Sequence, residues 1–186
     1  MKKHKGSIIG VAVGLLLTGS FGSANANQIH VKGQVAGTFL GTRIDLNGDG
    51  TPASWSTGEV SGTLGKRTNQ GVSEVVPTGP TADCPGGVFI IDAQNGIGFG
   101  TSTTTFPDGD HIFSQILTRT QCGLGGGFFT SSDTVRTVGG TGKFEGASGT
   151  IEQHSTSLLW VYDPNANPPQ GFGSFTGEFE GTLILP

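Results

Sequence analysis

Asp92, His111, Arg119 and Glu152 are titratable residues that lie in stretches predicted to be β-strands. Carboxylate, imidazole and guanidinium groups that point into a dry cavity can hold or move a proton, so these four are the candidate catalytic residues. The chain has no Gly-x-Ser-x-Gly elbow and no phosphate-binding loop. The pattern therefore favours a protein without turnover, and acid–base catalysis by these four residues is the alternative.

The segment Asp45-Leu-Asn-Gly-Asp-Gly50 has the spacing of a calcium-binding loop. Asp45, Asn47 and Asp49 alternate, so a tight turn could aim three oxygens at one point while Gly50 lets the chain reverse. A full EF-hand loop would need a bidentate Glu at the twelfth position, which is Ser56 here. A weak calcium site formed by Asp45, Asn47 and Asp49 is therefore a candidate beside the simpler interpretation, an ordinary polar turn, and no other cofactor is indicated.

The first residues have the features of a secretory signal peptide. Residues 1–5 are basic, residues 8–18 form a short apolar run, and Ala24-Asn-Ala26 offers a small-x-small cleavage site. The apolar run is too short to span a bilayer comfortably. We therefore predict a cleaved signal peptide at 1–26, a single domain at 27–186, and a location in the periplasm or outside the cell.

Cys84 and Cys122 are the two cysteines of the chain. An even pair in an exported protein most often forms a disulfide. A zinc site would need more ligands, and neither His111 nor His154 has a metal-like spacing to these thiols. The sequence therefore predicts a structural Cys84–Cys122 disulfide.

The charge of the predicted mature chain excludes some partners. Without residues 1–26, seven Lys and Arg face fourteen Asp and Glu, a net charge of −7. An acidic surface repels nucleic-acid phosphates and anionic lipids, and the sequence has no basic stripe to override it. We expect no nucleic-acid partner and no membrane span.

Composition and alternation predict an all-β fold. Glycine accounts for 34 of 186 residues and separates short runs rich in Thr, Ser, Val, Ile and Phe. In residues 28–40 the apolar Ile29, Val31, Val35 and Phe39 share one face of a strand. About eight or nine such strands, joined by hairpins, predict an antiparallel closed barrel of about eight strands. A barrel of that size is filled by side chains or holds one small ligand.

A glycine-rich corner at Gly139-Gly-Thr-Gly-Lys-Phe-Glu-Gly-Ala-Ser-Gly149 precedes a long predicted strand at 150–162. Phe144 would be its apolar anchor, and Ala147 and Gly149 would keep the backbone slim. The corner resembles the G-G-T-G-x-F-x-x-A-x-G signature of allene oxide cyclase and dirigent-type barrels, and the turn at 106–112 is also similar to that family.

The resemblance covers roughly the last third of the chain and implies a calycin-like, allene oxide cyclase-type barrel in a bacterial exported member. Plant members cyclise a fatty-acid epoxide or steer radical coupling, and we assign their catalytic residues to no position in this sequence. We therefore expect a non-catalytic binding or surface module with a small hydrophobic ligand. The alternatives are a cyclase- or isomerase-like enzyme acting on a hydrophobic substrate in the lumen, and a structural envelope or matrix component.

Overall fold

The structure is a computed structural model that describes residues 27–46, 48, 50–163, 165 and 170–186. The predicted signal peptide at 1–26 lies outside the described residues.

Ten strands and one short 3-10 helix make up the described chain. The strands are β1 (Asn27–Gly41), β2 (Ser54–Gly62), β3 (Arg67–Glu74), β4 (Val76–Gly79), β5 (Val88–Asp92), β6 (Phe99–Thr105), β7 (His111–Gly125), β8 (Phe128–Gly140), β9 (Ser148–Asp163) and β10 (Gln170–Leu185). The 3-10 helix, Gly142–Phe144, lies in the glycine-rich corner between β8 and β9.

Eight of these strands close into an antiparallel barrel, which confirms the predicted fold class. Around the ring the order is β7, β6, β3, β2, β1, β10, β9 and β8, and β8 pairs with β7 again. The short β4 and β5 extend the wall at one end. There β5 and β6 pair with successive parts of β7 and are separated by residues 93–98. All ten strands thus belong to one sheet, and eight of them form the closed ring around a lumen.

β3 begins well before its first apolar residue. That residue is Val72, whereas the strand already starts at Arg67. Its lumen-facing positions include Arg67, Asn69 and Gly71. The lumen is polar along this strand, so no apolar alternation marked it.

Inward-facing glycines make room for aromatic rings inside the barrel. Odd-numbered residues of β1 face the lumen, and Gly33 and Gly37 lie opposite Phe179 and Phe175 of β10. A Cβ atom at Gly33 would lie 2.7 Å from Cζ of Phe179, and one at Gly37 would lie 2.9 Å from Cζ of Phe175. The rings therefore occupy the space that side chains at Gly33 and Gly37 would otherwise take.

One end of the lumen is closed by a dry cluster, which we call the floor. Its buried members are Val31, Phe106, Ile112, Phe144, Ala147 and Leu183. The corner at 139–149 delivers Phe144 and Ala147, and the rings of Phe144 and Phe106 lie 4.4 Å apart between centroids. Outside the floor, Nζ of Lys143 pairs with the carboxylate of Asp108. The predicted anchoring role of Phe144 is confirmed, because its side chain is only 2% exposed.

The close packing of the corner can be tested by a substitution at Gly149. It has a φ of 146°, and an added Cβ would lie 2.1 Å from the backbone oxygen of Thr182. Gly139 has the same φ of 146° but open space around it. We expect Gly149→Ala to lower the free energy of unfolding by about 1–3 kcal/mol more than Gly139→Ala, because only the former adds overpacking to the backbone strain. Urea unfolding of both variants measures the difference, and equal losses would contradict the close packing.

The predicted disulfide is confirmed. Sγ of Cys84 and Sγ of Cys122 are 2.08 Å apart, and the bond joins the loop after β4 to β7. Beside it, the backbone N–H of Gly86 donates to the carbonyl of Gly123 at 2.8 Å, and Gly123 donates to Gly87 at 2.8 Å. The loop is therefore held on the outer side of β7 by one covalent bond and two hydrogen bonds.

Removing this disulfide should destabilise the barrel without changing its topology. The bond constrains a loop with a sequence separation of 38, which corresponds to about 3–4 kcal/mol in the chain-entropy model. We expect the double variant Cys84→Ser/Cys122→Ser to lose stability of that order in thermal or urea unfolding. In the parent protein, alkylation without reductant should modify neither thiol, and two alkylated cysteines would overturn the assignment.

Candidate functional site

The lumen above the floor contains a cavity of about 340 Å³. Apolar side chains from several strands form part of its wall. They include Val35, Phe39, Val60, Ile151, Leu159, Phe175 and Phe179. At the end away from the floor, the rings of Phe89 and Phe129 meet edge to face with centroids 6.1 Å apart. Serine, threonine, asparagine and glutamine side chains occupy the remaining positions, so the cavity is apolar with a limited set of hydrogen-bonding groups.

A paired arginine and aspartate lie in the wall of this cavity. Nε of Arg119 donates to Oδ1 of Asp133 at 2.8 Å, and Nη2 donates to Oδ2 at 2.7 Å. Nη1 of Arg119 reaches Oγ of Ser73 across the lumen at 3.3 Å. The Asp133 side chain is 1% exposed and that of Arg119 is 20% exposed. The bidentate geometry is that of a strong charge-assisted pair, in which each partner neutralises the other.

A β-bulge turns Arg119 towards the lumen. In the first half of β7 the even-numbered residues Ser114 and Ile116 face inward. The register with β8 shifts between Ile116 and Thr118, and beyond this shift Arg119 lies opposite Asp133. An extra residue in one strand reverses the alternation that follows it. Without it, Arg119 would share the outer face with His111.

A second arginine lies deeper in the lumen, next to the floor. Arg67 faces inward opposite Val60 and is 9% exposed. Its Cζ lies 5.4 Å from the ring centroid of Phe179 and 5.7 Å from that of Phe106. Nη1 donates to the carbonyl of Gly65 at 2.9 Å. Arg67 therefore links the dry floor to the cavity.

Of the four candidate catalytic residues, Arg119 lines the cavity and the other three do not. The Asp92 carboxylate accepts from the side-chain amide of Asn95 at 2.6 Å in the turn after β5. Nδ1 of His111 lies 3.1 Å from Oγ1 of Thr105, and Glu152 accepts from Oγ1 of Thr134 at 2.9 Å on the exposed outer wall. These three are positioned by local contacts outside the lumen.

Sequence reasoning missed the partner of Arg119. Asp133 alternates with Phe129 and Val135 along β8, which would have placed it on an inward face. That signal was weakened because Phe128 and Val138 are apolar on the opposite, exposed face. Arg67 had no such signal, since the first residues of β3 show no apolar alternation.

The predicted calcium loop is described in part. The Asp45 carboxylate accepts from the N–H of Gly48 at 2.6 Å and from that of Gly50 at 2.8 Å. Asn47 and Asp49 lie outside the described residues. Within the part that is described, no group of three or more His, Cys, Asp or Glu is placed to hold a metal ion. Calcium binding by Asp45, Asn47 and Asp49 stays a prediction.

The Arg119–Asp133 pair can be tested by a double-mutant cycle. Asp133→Ala leaves a partly buried guanidinium without its carboxylate, and we expect a loss of about 2–4 kcal/mol in the free energy of unfolding. Arg119→Met should cost a similar amount, because it leaves the buried carboxylate unpaired. The double variant should recover much of the loss, since it removes both charges. Additive losses in urea unfolding would contradict a coupled pair.

No helix in the described part of the chain is long and apolar enough to cross a membrane.

Comparison with known protein families and with curated proteins finds no match. Among solved structures, the chain is similar to the pterocarpan synthase dirigent protein GePTS1, with 11% identity over 89% of each chain and a TM-score of 0.41.

Proposed function

We propose that this protein is an exported antiparallel barrel that binds one small, largely apolar ligand in its lumen without chemical turnover. The observation that carries the proposal is the cavity of about 340 Å³ within a closed sheet. Small-molecule sites typically measure roughly 300–1,000 Å³ and combine apolar walls with a few polar groups that fix orientation. The lumen has that composition.

Three features support the export and the family assignment in this proposal. The first 26 residues have the signal-peptide pattern described above, and a disulfide is characteristic of oxidising compartments. The corner at 139–149 seals the floor through Phe144, as expected if its resemblance to allene oxide cyclase and dirigent-type barrels reflects a shared structural role. We therefore propose that the chain is a bacterial exported barrel of that superfamily, which acts in the periplasm or outside the cell.

The second candidate function is a cyclase- or isomerase-like reaction on a hydrophobic substrate. The Arg119–Asp133 pair favours it, because a reaction of that class needs a dry pocket with one or two oriented polar groups. Both oxygens of Asp133 are already bonded to Arg119, however, so the carboxylate would have to leave its partner before it could accept a proton. This competition is why binding without turnover is preferred.

A lumen-filling substitution with an outward-facing control tests the binding proposal. Ser155 lines the cavity, whereas its neighbour Thr156 is exposed on the outer wall. We expect the neutral fluorescent probe N-phenyl-1-naphthylamine to bind the parent protein and Thr156→Phe with similar affinity. Ser155→Phe should weaken binding by roughly tenfold or more, because the added ring occupies ligand volume. Circular dichroism checks that both variants are folded.

Two results would count against the proposal. Equal probe affinity in Ser155→Phe and Thr156→Phe would place the probe outside the lumen. A ligand from a lipid extract that is recovered from the protein in a chemically altered form, by mass spectrometry, would instead favour the cyclase- or isomerase-like candidate.

A further inference from the structure

We propose that the ligand is an amphipathic organic anion whose charged group binds Arg67 at the floor, with its apolar body extending along the lumen. This inference rests on the proposed binding function and specifies the ligand class and its orientation. The head group expected from the chemistry is a carboxylate or a comparable monoanion.

The first argument is the charge balance of the cavity. Its described lining residues include two cations, Arg67 and Arg119, and one anion, Asp133. Arg119 is neutralised by Asp133 through two hydrogen bonds. Among the described residues, Arg67 forms no ion pair with a carboxylate. Within the part of the lumen that the structure describes, one positive charge thus lacks a carboxylate partner.

The positive charge of Arg67 is energetically unfavourable in its buried position. Arg67 is 9% exposed and packs against two aromatic rings, so its guanidinium has lost most of its hydration. This desolvation lowers the pKa of Arg67 from its usual value. An arginine still remains protonated at neutral pH, because its usual pKa lies so far above that range. A buried charge that cannot neutralise itself is stabilised most by a counter-ion.

The geometry of Arg67 suits a carboxylate. Rings of Phe106 and Phe179 lie within 6 Å of the guanidinium carbon and hold the group in place through cation–π contacts. One N–H of Nη1 is used by the carbonyl of Gly65. The planar guanidinium has further donors in a fixed fork that matches two carboxylate oxygens. Arg67 is therefore oriented before any ligand arrives.

The apolar body of such a ligand also has a place to lie. Val35, Val60 and Phe179 form a buried cluster next to Arg67, and Phe175 continues the apolar surface along the cavity. The predicted mature chain carries a net charge of −7, so a cationic amphiphile would be favoured by the outer surface. The lumen has the opposite sign. Its charge and its apolar wall together select an anion with a hydrocarbon or aromatic body.

The experiment compares decanoic acid with decanol, which differ in the head group. Binding of both is measured by isothermal titration calorimetry at neutral pH to the parent protein, to Arg67→Met and to Arg136→Gln. Arg136 is the matched control because it lies outside the cavity lining and bonds to Gln115 on the outer wall. We expect the parent and Arg136→Gln to prefer decanoate by roughly tenfold or more. Arg67→Met should lose this preference and bind decanol as the parent does.

The outcomes separate the two proposals. Equal affinity of the parent protein for decanoate and decanol would overturn the anion assignment, and Arg67 would then be a structural cation held by its rings. Absence of binding for both compounds, together with failure of the naphthylamine probe, would overturn the binding function itself. The comparison of decanoate with decanol on the parent protein needs no variant, so it tests the preference for an anion even if Arg67→Met fails to fold. Ser155→Phe should weaken both compounds, and unchanged binding there would place them outside the lumen.

Discussion

Closure of the sheet along β7 is the constraint on which the rest of this structure depends. β7 pairs with β8 on one side and with both β5 and β6 on the other. A barrel without free edges has no open hydrogen-bonding row at the seam, and its inner face becomes an enclosed space. The same strand delivers Ile112 to the floor, Arg119 to the cavity wall and Cys122 to the disulfide.

The bulge in β7 reconciles these roles within one strand. Strict alternation would keep every second residue on one face, so Ile112 and Arg119 could not both point inward. The register shift after Ile116 reverses the alternation and brings the guanidinium opposite Asp133. Gly100 of β6 leaves space for Ile116 just before the shift, since a Cβ there would lie 2.5 Å from Cδ1 of Ile116. The polar site therefore depends on a local irregularity in the sheet.

The extent to which the sequence predicted this arrangement follows from how each element is stabilised. β1 buries apolar residues on one face, so the alternation of Ile29, Val31, Val35 and Phe39 predicted its orientation correctly. The corner at 139–149 was recognisable because its turn requires glycines and its anchor is a single large ring. The first residues of β3 show no apolar alternation, because their inner face meets a polar lumen. The start of this strand and the inward position of Arg67 could therefore not be predicted. The Arg119–Asp133 contact joins two strands through tertiary pairing, which single-sequence periodicity does not report.

The inner face of the barrel is built in a way that a purely structural barrel would not need. Filling the lumen with large apolar side chains would add buried area and remove the cost of an empty cavity. Instead, small residues such as Ser102, Ser131 and Ser155 line the cavity, and two arginines and one aspartate are held among them. Replacing buried ion pairs by apolar groups of similar volume is often neutral or stabilising. The retained volume and the unbalanced charge of Arg67 therefore lower stability, and a bound anion with an apolar body would offset both.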